Sequence, residues 1–143
     1  MKDNHTLPTD EGLQENEKIE TAIAALQQEA TEEMLAHTLT VIRRRMRENG
    51  QLIVAVKPPE GNAQVKIQAV KTEDGAQWWA VFTSFEEEVK GSGSVMSTFL
   101  ADMHQLFTAA LPVDEIKGII INPWNRTLML DKNLLHIILG NMQ

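Results

Sequence analysis

Cysteine is absent from all 143 residues, which excludes disulfides, thiolate nucleophiles and cysteine-ligated zinc or iron–sulfur centres. Also missing is any apolar run long enough to cross a bilayer, and the polar stretch Met1–Gly12 has no apolar segment of the secretory kind. These absences predict an unsecreted, cytoplasmic protein with no membrane contact. Basic charge is scarce, with 13 Lys and Arg against 20 Asp and Glu for a net charge of −7. The deficit is local. Residues 1–35 hold nine acids against Lys2 and Lys18, and the rest of the chain is neutral. An acidic leading segment repels a phosphate backbone, so no nucleic-acid partner is expected.

What is present is one domain's worth of patterned apolar residues, 43% of the chain. Residues 1–15 read as a flexible acidic tail, polar and broken by Pro8 and Gly12, and residues 16–143 as a single domain. Ile19, Ile23, Leu26 and Ala30 form one narrow helical stripe. Thr31, followed by Glu32 and Glu33, starts a second helix with the stripe Leu35, Leu39, Ile42 and Met46, closed by Asn49-Gly50. Beyond Gly50 the period becomes that of strands. Leu52–Val56 is a run fit to be covered on both faces, and Val65, Ile67 and Ala69 alternate with polar residues. Asp74-Gly75 is a two-residue hairpin signal ahead of a strand over Trp78–Thr83. Ser84 with Glu86, Glu87 and Glu88 predicts a short capped helix, stopped by Gly91-Ser92-Gly93-Ser94. Phe99, Leu100, Met103, Leu106, Phe107, Ala110 and Leu111 make the longest helical stripe, read as a helix over Leu100–Leu111 that ends at Pro112. Strands over Ile116–Ile121 and Thr127–Leu130 follow, and Asp131 caps a last helix that ends at Gly140. The class is therefore α+β: a mixed sheet of about five strands with helices packed on it, preceded by an N-terminal helical pair.

Three pieces in this order, Trp79–Glu87 with its Phe82-Thr83-Ser84, the helix Leu100–Leu111, and Gly118-Ile119-Ile120-Ile121-Asn122-Pro123 with the strand and helix after it, resemble the N-terminal domain of the SseB family of bacterial proteins. The resemblance spans about Leu35 to Leu139. It implies a cytoplasmic binding or accessory domain with no agreed biochemical activity.

The candidate chemistry is thin. Ser84 lacks a nearby histidine and a Gly-x-Ser-x-Gly elbow, so no catalytic residue is assigned. His5, His37, His104 and His136 show no paired spacing, so neither a metal nor another cofactor is expected. Arg43, Arg44, Arg45 and Arg47 wrap around their helix, compensating its dipole and facing the acidic first helix. The aromatic residues carry more information. Trp78 and Trp79 are neighbours in a strand and must point to opposite faces. Trp124 and Arg126 sit on a turn that Asn122 and Pro123 are sufficient to build. Trp78, Trp79, Trp124 and Arg126 are thus the expected binding residues, and Asn122 and Pro123 the structural turn. The sequence reads as a non-enzymatic domain with a protein partner. A small hydrolase or transferase is the competing reading, and the helical stripes leave a homodimer open.

Overall fold

Thr31 begins the second of two leading helices three residues after the first has ended. Its hydroxyl accepts the Met34 N–H at 3.1 Å, so α1 (Glu17–Gln28) and α2 (Glu32–Arg47) are separated by a single turn and pack side by side. The computed structural model describes residues 13–57, 66–84, 97–125 and 127–140. Within them follow β1 (Gln51–Lys57), β2 (Lys66–Ile67), β3 (Ala69–Lys71), β4 (Gln77–Phe82), β5 (Ser97–Asp102), α3 (Met103–Ala110), β6 (Gly118–Ile121), β7 (Leu128–Asp131) and α4 (Lys132–Leu139). The α+β class holds, with the helical pair leading into a mixed sheet. The expected short helix at Glu86–Glu88, the Gly91–Ser94 loop, Val65 and residues 1–12 lie outside the described residues.

The helix expected over Leu100–Leu111 is corrected. Residues 97–102 are a strand, paired with β1 at all six positions from Gln51↔Asp102 to Val56↔Ser97, and the helix starts only at Met103. Phe99 and Leu100 happen to continue the helical spacing of Met103 and Phe107, yet they belong to opposite faces of β5. The boundary is set by Asp102, whose carboxylate accepts the Gln105 N–H at 3.0 Å as an N-cap.

Register pairs order the sheet. Ile53 and Val54 bond β4 on one edge and β5 on the other, while Trp78 and Trp79 bond β3 on one edge and β6 on the other. At their far ends β1 and β4 part, and the run 66–71 enters between them as a wedge. Its first half, β2, pairs with β1, and its second half, β3, pairs with β4. Gln68 touches both sides at the apex, donating to Ala55 O at 2.7 Å and accepting from Ala80 N at 3.0 Å.

The four helices of the described residues lie on one face, over Leu52, Val54, Val81, Ile119, Ile121 and Leu130. The opposite face holds a smaller cluster of Ile53, Ala55, Trp78, Ala80, Phe82 and Ile120. Leu13 packs against this second cluster whereas Ile19 belongs to the first, so the chain rounds the end of the sheet between them. The tail boundary expected at residue 15 therefore falls among residues with contacts: Leu13 packs, and Glu15 pairs with Lys18 at 2.7 Å.

The hairpin at Asp74-Gly75 is present as a three-residue loop. Thr72 N donates to Ala76 O at 2.8 Å to close it, and Gly75 takes φ 88°, the left-handed residue that such loops need. The Thr72 hydroxyl and the Ala76 N–H both donate to the Asp74 carboxylate. Chiefly through the Thr72 hydrogen bond, its pKa is held below that of an ordinary aspartate. Because the folded value is the lower one, the carboxylate supports the hairpin above the unfolded pKa, and that support is lost as pH falls through the folded value. Carboxyl-detected NMR titration should find Asp74 titrating low, and Thr72→Val should return it toward the usual range. An unmoved midpoint would show that the hydroxyl is not the cause.

Candidate functional site

Among the described residues β4 and β6 are the parallel neighbours of the sheet, so their carboxyl ends lie side by side. The two motifs noticed in the sequence meet there. Thr83 follows β4 and Asn122 follows β6. The Asn122 backbone continues the ladder with N–H to Val81 O at 2.8 Å, then turns away with φ 52°, a left-handed conformation that asparagine tolerates better than most residues. Its side chain does not fold back on its own turn. Oδ1 accepts the Thr83 N–H at 3.0 Å and Nδ2 donates to Thr83 Oγ1 at 3.0 Å, while the Thr83 hydroxyl donates to Glu20 of α1.

A second asparagine closes the same strand ends from the N-terminal side. Asn16 Nδ2 donates to Gln51 O at 2.8 Å and Thr83 O at 3.1 Å, and its Oδ1 accepts Arg45 Nε at 3.2 Å. Arg45 reaches on to Glu48 with Nη1–Oε1 at 3.0 Å. Asn16, Arg45, Thr83 and Asn122 are each at most 5% exposed. Polar groups buried this deeply cost several kcal/mol unless paired, and here each of the four has a partner, so the network holds α1, α2, β1, β4 and β6 in one register. In open α/β sheets the crevice outside the carboxyl ends of parallel strands commonly takes a ligand. Here the side chains of Asn16 and Arg45 occupy that position and bond to the protein itself.

Sequence reasoning did not single out Asn16, Glu20 or Arg45. Asn16 read only as the first residue of the domain, and Arg45 only as one of four arginines. The usable signal was weak: an Asn just before an amphipathic helix, and an Arg one position before the buried Met46.

The tryptophans separate. Trp78 is 7% exposed in the smaller cluster, with its Nε1 buried and without an acceptor among the described residues. Trp79 is half-buried against the helix-side core, so both strand indoles are packed. Trp124 stands 42% exposed on the turn after β6, next to half-buried Pro123. Arg126 lies outside the described residues. Trp78 pairs with Gly118 at the start of β6 and Trp124 lies beyond its end, so about 13 Å of strand separates the two levels. The structure therefore does not gather the indoles into one patch.

The Trp124 turn is pinned at its base. Asn122 O accepts Asn125 N–H at 3.2 Å and the Thr127 hydroxyl at 2.7 Å. Of the histidines, His37 lines a wide groove of about 980 Å³ between α1 and α2, His104 is exposed on α3 and His136 half-buried on α4, while His5 lies outside the described residues. Charges around that groove alternate, with Glu17, Glu29 and Glu33 near Lys18 and Arg44, so it offers no field of one sign. Among the described residues, no helix is long and apolar enough to cross a membrane.

A split mixed sheet with one helical face, closed at its parallel strand ends by a buried Asn–Thr–Asn–Arg network, defines a compact α+β domain with its polar groups turned inward. The family model of the SseB protein N-terminal domain matches residues 19–136, and the chain belongs to that family. No curated protein and no solved structure matches it.

Proposed function

We propose that this SseB domain is a non-enzymatic, cytoplasmic protein-binding module that presents the turn after β6 to a partner. The observation that carries the reading is Trp124: a large indole 42% exposed on a turn whose base is pinned by Asn122 and Thr127. A preformed turn loses little freedom on binding, and exposed tryptophans are over-represented among residues that dominate interfaces. The inward-facing polar network supplies the rigid base.

Trp124→Ala should cost less than about 1 kcal/mol of folding stability, as substitutions at exposed positions do, and weaken partner binding by more than about 1 kcal/mol. Affinity capture from native cytosol with wild type and Trp124→Ala in parallel, followed by calorimetry on the recovered partner, measures the second quantity, and denaturant melts the first. A loss of several kcal/mol in the melts would make the indole a packing element, and equal capture by both proteins would remove it from the interface.

A further inference from the structure

A second surface, independent of Trp124, lies on the other side of α2. Leu35, Leu39, Arg43 and Arg47 recur every fourth residue along it, a ridge about 18 Å long. At its N-terminal end the ridge faces α4 across a groove of about 350 Å³ with an apolar floor of Leu35, Leu39, Leu134 and Ile138, and with Ile137 40% exposed at its side. At its C-terminal end a hollow of about 310 Å³ is lined by Thr40, Arg43, Arg44, Arg47 and Glu48. Thr40 and Arg43 line both, so the two are continuous.

The charge in the hollow is unbalanced. Glu48 is engaged by Arg45, and among the described residues Arg43, Arg44 and Arg47 form no ion pair. Arg43 is the most constrained of the three. Its Nε is buried with no acceptor among the described residues, and its guanidinium lies so near the end of α4 that a Cβ on Gly140 would come within 2.7 Å of Nη2. A buried donor on a charged group left unpaired is costly, and guanidinium forks match carboxylates in geometry.

The geometry points to a peptide site: the α2–α4 groove takes a segment of a protein partner in which an apolar residue or two is followed by acidic side chains, the apolar part over Leu39 and Ile137, the carboxylates on Arg43, Arg44 and Arg47. Charge complementarity sets the acidic half, and the aliphatic half, Leu39 and Ile137 with no aromatic platform among the groove residues, suits leucine-type side chains better than stacked bases. The ridge length fits three turns of helix or about six extended residues.

The test is fluorescence anisotropy with a labelled synthetic peptide carrying two leucines one helical turn apart beside a run of glutamates. Saturable binding is expected, weakened about tenfold or more by Arg44→Gln/Arg47→Gln and likewise by Ile137→Ser, the tenfold step being about 1.4 kcal/mol. Arg44, Arg47 and Ile137 are exposed, so these variants keep the fold, which thermal melts check. Trp124→Ala should leave this binding unchanged, which separates failure here from failure at the turn. Absence of saturable binding overturns the site. So does binding indifferent to Ile137→Ser, or polyuridylate RNA displacing the peptide from wild type and Ile137→Ser alike, since the surface would then be a general polyanion patch.

Discussion

Replacing Asn122 by alanine should lower the unfolding free energy by about 3–5 kcal/mol. Two causes add. The Thr83 N–H, buried between strands, loses its acceptor, and Thr83 Oγ1 loses the donor at 3.0 Å, which together cost about 2–3 kcal/mol. Alanine must also adopt φ 52°, a conformation that costs an L-residue with a Cβ about 1–2 kcal/mol. Asn122→Gly divides the two, because glycine accepts the backbone but cannot supply the amide, and should recover about 1 kcal/mol relative to alanine. Urea melts of both variants decide it. If alanine and glycine are equally damaging, the left-handed backbone is not part of the cost. If both are mild, the strand ends are held by Asn16 alone.

Gly118→Ala should cost about 3 kcal/mol, at the upper end for an added methyl. A Cβ built on Gly118 lies 2.0 Å from the carbonyl oxygen of Leu130 and 2.8 Å from the Asp131 Cα, both backbone atoms of β7. No rotamer relieves such a contact, so β6 and β7 must separate locally or the strand must shift. Gly75→Ala is the control. Gly75 has φ 88° but open space around the missing Cβ, so only backbone strain is charged there, about 1 kcal/mol. Denaturant melts should rank Gly118→Ala well below Gly75→Ala. Amide exchange should show the damage concentrated at Ile119 and Leu130, which pair across the affected ladder. Equal losses at the two glycines would mean that the sheet absorbs the methyl.

Local chemistry explains which of these features could be seen in advance. Thr31, Asp131 and Gly140 act within four residues of themselves, and each does in the structure what its type and position imply. The strand over 97–102 was hidden because β5 earns its pairing from β1, some 45 residues earlier, while its own Phe99 and Leu100 satisfy helical spacing equally well. Asp102 with Gln105 was a readable helix-start signal that a longer apolar stripe outweighed. The site divides in the same way. Asn122-Pro123 is recognisable as a turn from two residues, but that the Asn side chain crosses to Thr83, 39 positions away, depends on β4 and β6 lying parallel, which no local pattern encodes. Arg45 was unreadable for a related reason: four arginines within five positions, 43, 44, 45 and 47, wrap a helix evenly, and only the packing of α1 decides which one is buried.

The wedge formed by β2 and β3 gives the sheet a seam. Between the β5–β1 half and the β4–β6–β7 half, direct pairing is confined to Ile53↔Phe82 and Val54↔Val81, and beyond them Gln68 bridges both halves at once. That short line of direct contact is extended by the wedge, whose ladders to β1 and β4, with Gln68 between them, keep the backbone paired beyond it. The Asn16–Thr83–Gln51 contacts clasp that line at its closed end. The two halves of the sheet are thus joined along one short line, clasped by Asn16 at the strand ends and closed by Gln68 at the wedge.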